Sequence, residues 1–137
     1  MSRQNDSSAH LRLVAAGAAG FLAVSTAALA ADIAREISVA EQHAGYAATA
    51  TIITTTKAHL HHTINCLVGP KGEGFDAKEL NPCKGFGNGA IADTTDAAKK
   101  KKLEEALGKA KSGLAANDLA AAKGLAAEAE ALIKSAQ

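Results

Sequence analysis

The hydrophobic positions between residues 33 and 67 follow helical spacing. This stretch contains no proline and one glycine, Gly45, so the pattern predicts one long helix over 33–67. On a helical wheel the apolar face changes side along this helix. The first stripe is Ile33, Ile37, Ala40, Ala44 and Ala48, and the second is Ile53, Leu60, Ile64 and Leu67. We therefore expect either different packing partners for the two halves or a kink at "TIITTT", 51–56, where β-branched residues lower helix propensity.

The last third of the chain has the pattern of a helical hairpin, with helices over 96–112 and 118–135. Two apolar stripes repeat at steps of three and four. They are Leu103, Leu107, Ala110 and Leu114, and then Leu119, Ala122, Ala126, Ala129 and Ile133. Gly113 is the expected C-terminal stop of the first helix, and Asn117 is the expected N-cap of the second. The hairpin stripes then have to pack against the N-terminal helix.

The connection over 69–95 holds both prolines and six of the twelve glycines, which predicts a loop. A loop of this length in a compact domain generally has a function or a cross-link. Within it, "GFGNG" at 85–89 lacks the spacing of a phosphate-binding loop and no strand precedes it. We interpret these glycines as turn residues.

Cys66 and Cys83 are the only cysteines of the chain. In an oxidising compartment such a pair predicts a disulfide, and closing this loop contributes about 3 kcal/mol in the chain-entropy model. Two free thiols that bind metal are the alternative. The chain has no tryptophan and only four Phe and Tyr residues, so alanine must do most of the packing. The expected fold is all-α, a small three- to four-helix bundle with a Gly/Pro-rich, disulfide-stapled loop.

The N-terminal segment has the pattern of a signal peptide over residues 1–30. An apolar run over 13–31 ends in Ala28-Leu29-Ala30, a small-x-small cleavage pattern. A retained membrane anchor is the alternative, because about 19 mostly apolar residues just span a bilayer. Cleavage leaves a single helical domain, 31–137, in the periplasm or secreted, with no stable membrane association.

The charge balance of residues 31–137 is even, with 13 basic and 13 acidic side chains. Nucleic-acid binding is therefore not expected, because it requires a basic excess on one surface. The only basic run is "KKKK" at 99–102. Four consecutive positions surround a helix, so we interpret this run as solvated surface.

The segment "HLHHTINC", 59–66, places three histidines and one cysteine in eight positions. On a helix His59 and His62 lie at i and i+3, where two imidazoles can chelate one ion, and imidazole suits zinc, copper and nickel. His61 points about 160° away from His59. The Leu60, Ile64 and Leu67 stripe should face the core, which would turn His62 outward. We predict transition-metal binding centred on His59 and His62.

Two other interpretations of the histidines remain open. In one, the protein is a non-catalytic structural or protein-interaction module and the imidazoles are polar surface, stabilised near the helix C-terminus by the dipole. In the other, one histidine is an axial ligand of a haem. The haem would be of the b type, because the chain has no C-x-x-C-H motif for covalent attachment. Enzymatic activity is not expected, because no nucleophile and base stand at a suitable spacing.

His43 is a fourth candidate ligand. It precedes His61 by 18 residues, which is five turns and about 27 Å along a straight helix. One chain can bring the two to a single ion only by folding back at the threonine run. In an antiparallel homodimer whose helices cross near Ile52, His43 of each chain would lie beside His61 of the other.

Two parts of the sequence are similar to known groups of proteins. The block "AHLHHTINCLVGPKGEGFDAKELNPCKGFGNGA", 58–90, resembles one found in small exported bacterial proteins of no assigned activity. The alanine-rich hairpin is similar to the helical repeats of small periplasmic metal-binding proteins. The resemblance implies export and a helical fold, and it assigns no role to any residue.

Overall fold

The computed structural model describes residues 30–137, and every regular element in this range is a helix. The elements are α1 (Ile33–Thr49), α2 (Ile53–Val68), α3 (Ala90–Asp93), α4 (Ala97–Ala115) and α5 (Leu119–Lys134). The expected all-α class is confirmed. None of these helices is long and apolar enough to cross a bilayer. Apart from Ala30, the predicted signal peptide lies outside the described residues.

The four long helices form a bundle in which sequential neighbours run antiparallel. Helix α1 packs against α2 and α5, and α4 also packs against α2 and α5. Two polar contacts between exposed residues show the antiparallel register of α4 and α5. Lys109 Nζ of α4 lies 2.6 Å from Glu128 Oε2 of α5. Nearer the N-terminus of α4, Lys102 Nζ donates to the carbonyl of Ser135, directly after α5, at 2.6 Å. The predicted small bundle is thus a four-helix bundle with one additional short helix.

The single helix expected over 33–67 is in fact two antiparallel helices. Ala50 and Ile52 adopt extended conformations, with φ −59° and ψ 151° at Ala50 and φ −134° and ψ 146° at Ile52. The hydroxyl of Thr49 donates back to the carbonyl of Gly45 at 2.9 Å, within the last turn of α1. The β-branched run therefore does more than kink the helix. The chain leaves the helix at Ala50, reverses direction and starts α2 at Ile53.

Gly113 does not end the first hairpin helix, because α4 continues to Ala115. Gly113 is buried, and a Cβ at this position would lie 3.1 Å from Leu60 Cδ1 and 3.3 Å from the carbonyl oxygen of Ala122. The glycine thus allows α4 to approach both α2 and α5. The N-cap of α5 is Asp118 instead of Asn117, since its carboxylate accepts from the backbone N–H of Ala121 at 2.9 Å.

The core is built mainly from alanine and a few branched side chains. Its fully buried alanines include Ala40, Ala44, Ala47, Ala106, Ala110, Ala122, Ala126 and Ala129, and its largest apolar members are Leu60, Ile64, Leu67, Leu103 and Ile133. Each of the larger side chains contributes about 1.5–3 kcal/mol by its burial. Alanine contributes less, but it lets helix axes come close together. Side chains at helix–helix contacts, including the histidines described below, therefore meet at short range.

The loop between α2 and α3 is attached to α2 at two adjacent residues. Cys66 and Cys83 form the predicted disulfide, with Cα atoms 5.2 Å apart. The buried Asn65 side chain donates to the carbonyls of Asp76 (3.0 Å) and Leu80 (3.1 Å) and accepts from the N–H of Asp76 (2.9 Å). The loop predicted over 69–95 therefore has a fixed conformation, and its last residues form α3.

The two ends of this loop meet at Gly69 and Gly89. Both residues have positive φ, +66° and +113°. A Cβ on Gly69 would overlap the backbone of Asn88, and a Cβ on Gly89 would overlap that of Val68. Glycine is required at both positions because the two backbone segments are in direct contact.

Glu36 is the buried ionisable residue of α1, with 1% of its surface exposed. Its Oε1 accepts from the backbone N–H of Gly89 at 2.9 Å. No N–H or hydroxyl of residues 30–137 reaches its buried Oε2. Burial raises the pKa of Glu36, and the neighbouring carboxylates of Asp93 and Asp32 raise it further, whereas the Gly89 hydrogen bond lowers it. A side-chain contact with Asp93 also favours the protonated form of Glu36, in which Oε2 would be a donor.

Glu36→Gln and Glu36→Ala distinguish the protonated form from the charged one. Because the folded-state pKa is raised, the stability due to Glu36 is present below its unfolded value of 4.5 and is lost as the pH rises through the folded value. Glutamine can make both contacts without a charge. We expect the Gln variant to unfold at higher denaturant concentration than wild type at pH 8 and at a similar concentration at pH 4.5.

Alanine at position 36 should instead destabilise the fold by about 1–3 kcal/mol at pH 4.5, because it leaves the N–H of Gly89 without its acceptor. The loss relative to wild type should be smaller at pH 8, where the wild-type side chain is itself less stabilising. Urea unfolding followed by circular dichroism measures all three proteins. A Gln variant that loses as much stability as the Ala variant at pH 8 would show that Glu36 is needed as a charge.

Candidate metal centre

The reversal between α1 and α2 brings His43 of α1 against His59 and His62 of α2. The ring centroids lie 5.3 Å apart for His43 and His59, 5.0 Å for His43 and His62, and 5.5 Å for His59 and His62. One nitrogen from each ring lies within 4.8 Å of one nitrogen from each of the others. We call these residues the three-histidine site. It is the only group of three or more His, Cys, Asp or Glu side chains within 30–137 whose ligand atoms lie this close.

The spacing of one nitrogen pair suits a tetrahedral ion. His43 Nδ1 and His59 Nδ1 are 3.1 Å apart. Zinc–nitrogen bonds of about 2.0–2.1 Å at a tetrahedral angle put two imidazole nitrogens about 3.3 Å apart. The two helices therefore already hold this pair near the required separation. Without an ion, one Nδ1 must carry a proton and donate to the other.

The surroundings of the three-histidine site favour the neutral forms of His43 and His62. Burial lowers the pKa of His43, and together with the neighbouring His62 and His59 rings it brings the pKa to about 4. Burial and the adjacent His59 also lower the pKa of His62, although Glu79 acts in the opposite direction. A metal ion binds the unprotonated nitrogen. These two histidines are thus kept in their metal-binding form at neutral pH.

The two ring nitrogens of His62 have different environments. Its Nδ1 is buried and has no hydrogen-bond partner among the described residues. Its Nε2 faces the loop, 4.0 Å from Glu79 Oε2. The side chain as a whole is only 14% exposed, so His62 does not point outward as its position relative to Leu60 and Ile64 suggested. Its ring instead lies between α1 and α2, against the rings of His43 and His59.

His61 lies outside the three-histidine site. Its Nδ1 is 3.8 Å from Asp76 Oδ2 of the stapled loop, in agreement with the direction expected from the helical wheel. Cys66 is also unavailable as a ligand, because its sulfur is bonded to Cys83. Of the four histidines considered from the sequence, the structure brings three together.

The position of His43 is the main difference from the sequence-based expectation. The predicted pairing of His43 with His61 in a dimer required an unbroken helix between them, which the structure does not have. A signal was nevertheless present. His43 precedes Ala50 by seven residues and His59 follows Ile52 by seven. In a hairpin that reverses at 50–52, such positions face each other.

Two further neighbours of the site were not considered from the sequence. The ring of Tyr46 lies 5.7 Å from that of His43 and 5.3 Å from that of His59, and its side chain is about half exposed. Glu79 faces His62 from the loop. Tyr46 follows His43 by three residues, so helical spacing could have placed it, whereas no local pattern relates Glu79 to His62.

Comparison of the chain with protein-family models, with curated proteins and with solved structures finds no match.

The lowered pKa of His43 gives a testable pH dependence for the metal-free protein. A histidine whose folded-state pKa is depressed contributes stability above its unfolded value, and this contribution is lost as the pH falls from 6.5 towards 4. His43→Gln cannot protonate there. We expect its free energy of unfolding to fall less than that of wild type between pH 7 and pH 4.5, measured with a chelator present.

His61→Gln is the matched control, because His61 lies on the adjacent helix but outside the three-histidine site. It should lose stability with acid much as the wild type does. If His43→Gln and wild type lose stability in parallel over this pH range, the burial of a neutral His43 is not the cause.

Proposed function

We propose that this protein is an exported helical protein that binds one transition-metal ion per chain through His43, His59 and His62. The observation that carries the proposal is the convergence of three imidazoles from two helices to within 4.8 Å of one another. Zinc, copper and nickel are the ions that imidazole favours. Three protein ligands leave a fourth coordination position for water or another ligand.

The free energy cost of the arrangement supports a ligand. Burial of the site, together with repulsion between its rings, lowers the pKa of His43 to about 4 and also lowers that of His62. It also leaves His62 Nδ1 buried without a partner, and such a group costs about 1–3 kcal/mol. A bound ion would satisfy that nitrogen and replace ring–ring repulsion by coordination. Histidines retained only as polar surface would not need to be buried together.

The haem alternative receives less support. The ring centroids of the three-histidine site lie 5.0–5.5 Å apart, so a porphyrin held between two of these rings has no room unless they separate, and a porphyrin on one ring would have to displace the other two. We also propose binding without catalysis. Both cysteines are in the disulfide, which leaves no thiol as nucleophile.

Export is supported by two observations of different kinds. The disulfide is the form that persists in oxidising compartments. The apolar run over 13–31 ends in a cleavage pattern for a signal peptidase. The two together support the proposed periplasmic or secreted location.

A protein-interaction module is the second candidate. Three large apolar side chains of residues 30–137 are exposed: Tyr46, Ile52 and Leu80. Tyr46 borders the three-histidine site, and Leu80 adjoins Glu79. Single exposed apolar side chains are common on protein surfaces, and these three are compatible with a metal-binding protein that also docks to a partner.

Replacing the histidines one at a time tests the proposal. His43→Ala, His59→Ala and His62→Ala should each weaken zinc binding more than tenfold, which is about 1.4 kcal/mol, because each removes one of three ligands. His61→Ala should change the affinity by less than about twofold, a difference of roughly 0.4 kcal/mol. Competition with a chromogenic chelator gives the affinities, and native mass spectrometry gives the number of ions per chain.

Equal losses in all four variants would indicate a flexible polyhistidine patch and contradict the proposed site. Loss in His59→Ala and His62→Ala with unchanged affinity in His43→Ala would reduce the site to the i, i+3 pair expected from the sequence. Circular dichroism of each variant shows whether the bundle remains folded.

A further inference from the structure

The loop that carries Glu79 is held in a defined place over α2. Asn65, which is fully buried, binds the backbone on both sides of Glu79 through the carbonyls of Asp76 and Leu80. The next residue, Cys66, is bonded to Cys83. Both attachments start one turn after His61 and His62 on the same helix. The carboxylate of Glu79 is therefore kept near His62 by contacts that do not involve Glu79 itself.

Glu79 meets His62 on the side of the ring away from the unpartnered nitrogen. Its Oε2 lies 4.0 Å from Nε2, whereas Nδ1 is buried with no hydrogen-bond partner. The Glu79 side chain is 37% exposed, so it can rotate to close this distance or bridge it with a water molecule. An Nε2–H that faces a carboxylate leaves the lone pair on Nδ1.

We propose that Glu79 is the positioning residue of the three-histidine site: it accepts the Nε2–H of His62 and thereby makes Nδ1 the metal-binding nitrogen. This inference rests on the proposed function. Metal-binding histidines usually donate their second ring nitrogen to a carboxylate or carbonyl, which fixes the tautomer and makes the ligand more basic. The negative charge also offsets part of the charge that a divalent ion brings to three neutral imidazoles.

The same loop contains a matched comparison. Asp76 lies 3.8 Å from His61 just as Glu79 lies 4.0 Å from His62, and their side chains are similarly exposed, at 36% and 37%. Only His62 belongs to the three-histidine site. A general effect of negative charge on the loop would be shared by both carboxylates, and a positioning effect belongs to Glu79 alone.

The experiment measures the tautomer of His62 and the zinc affinity separately. Long-range ¹H–¹⁵N NMR of the full chain with its disulfide intact gives the protonated nitrogen in the metal-free protein. We expect Nε2–H in wild type and a mixture of tautomers in Glu79→Ala. Zinc affinity should fall about 10–100-fold in Glu79→Ala, partly recover in Glu79→Gln, whose amide oxygen still accepts the proton, and stay within about twofold of wild type in Asp76→Asn.

Three results would overturn the inference. They are an unchanged tautomer in Glu79→Ala, an equal loss of affinity in Asp76→Asn, and a zinc-bound state in which His62 is coordinated through Nε2. A wild-type protein that binds no zinc, copper or nickel would contradict the proposed function, and the tautomer in the metal-free protein would still decide whether Glu79 orients His62. Because Glu79 is only partly buried and is not a member of the buried core, its replacement leaves the core intact.

Discussion

The antiparallel contact between α1 and α2 is the constraint on which the candidate site depends. Three residues, 50–52, reverse the chain, and buried alanines such as Ala40, Ala44 and Ala47 let α1 approach its neighbours closely. Alanine contributes little burial energy per side chain. Its small size instead allows a short distance between helix axes, so imidazoles on facing helices come into contact. A bulkier helix interface would hold His43 and His59 too far apart for one ion.

The disulfide-stapled loop between α2 and α3 lies beside the three-histidine site, next to His62. Asn65 and Cys66 fix it directly beyond His61 and His62 on α2, which places one carboxylate near each of these two histidines. The disulfide and the Asn65 hydrogen bonds thus have a role beyond stabilising a bundle with a small hydrophobic core. They hold Glu79 of an otherwise glycine-rich segment beside His62, so the three-histidine site and its neighbouring carboxylate come from three segments of the sequence.

The sequence predicted what depends on local periodicity. It predicted the helical class, the α4–α5 hairpin, the disulfide, the weak point at 51–56 and the divergent direction of His61. It did not predict that the weak point reverses the chain, because helix propensity indicates where a helix weakens and tertiary packing decides the new direction. For the same reason Gly113, a stop signal by local rules, is a packing position within α4.

Crystals grown with zinc and measured at the zinc absorption edge test the central claim most directly. The account predicts one anomalous peak per chain, bounded by His43, His59 and His62, with metal–nitrogen distances of about 2.0–2.1 Å. Coordination of all three by a single chain would show that the reversal at 50–52 builds the site. A peak between His61 and Asp76, a site shared by two chains, or no peak near the three-histidine site would contradict it.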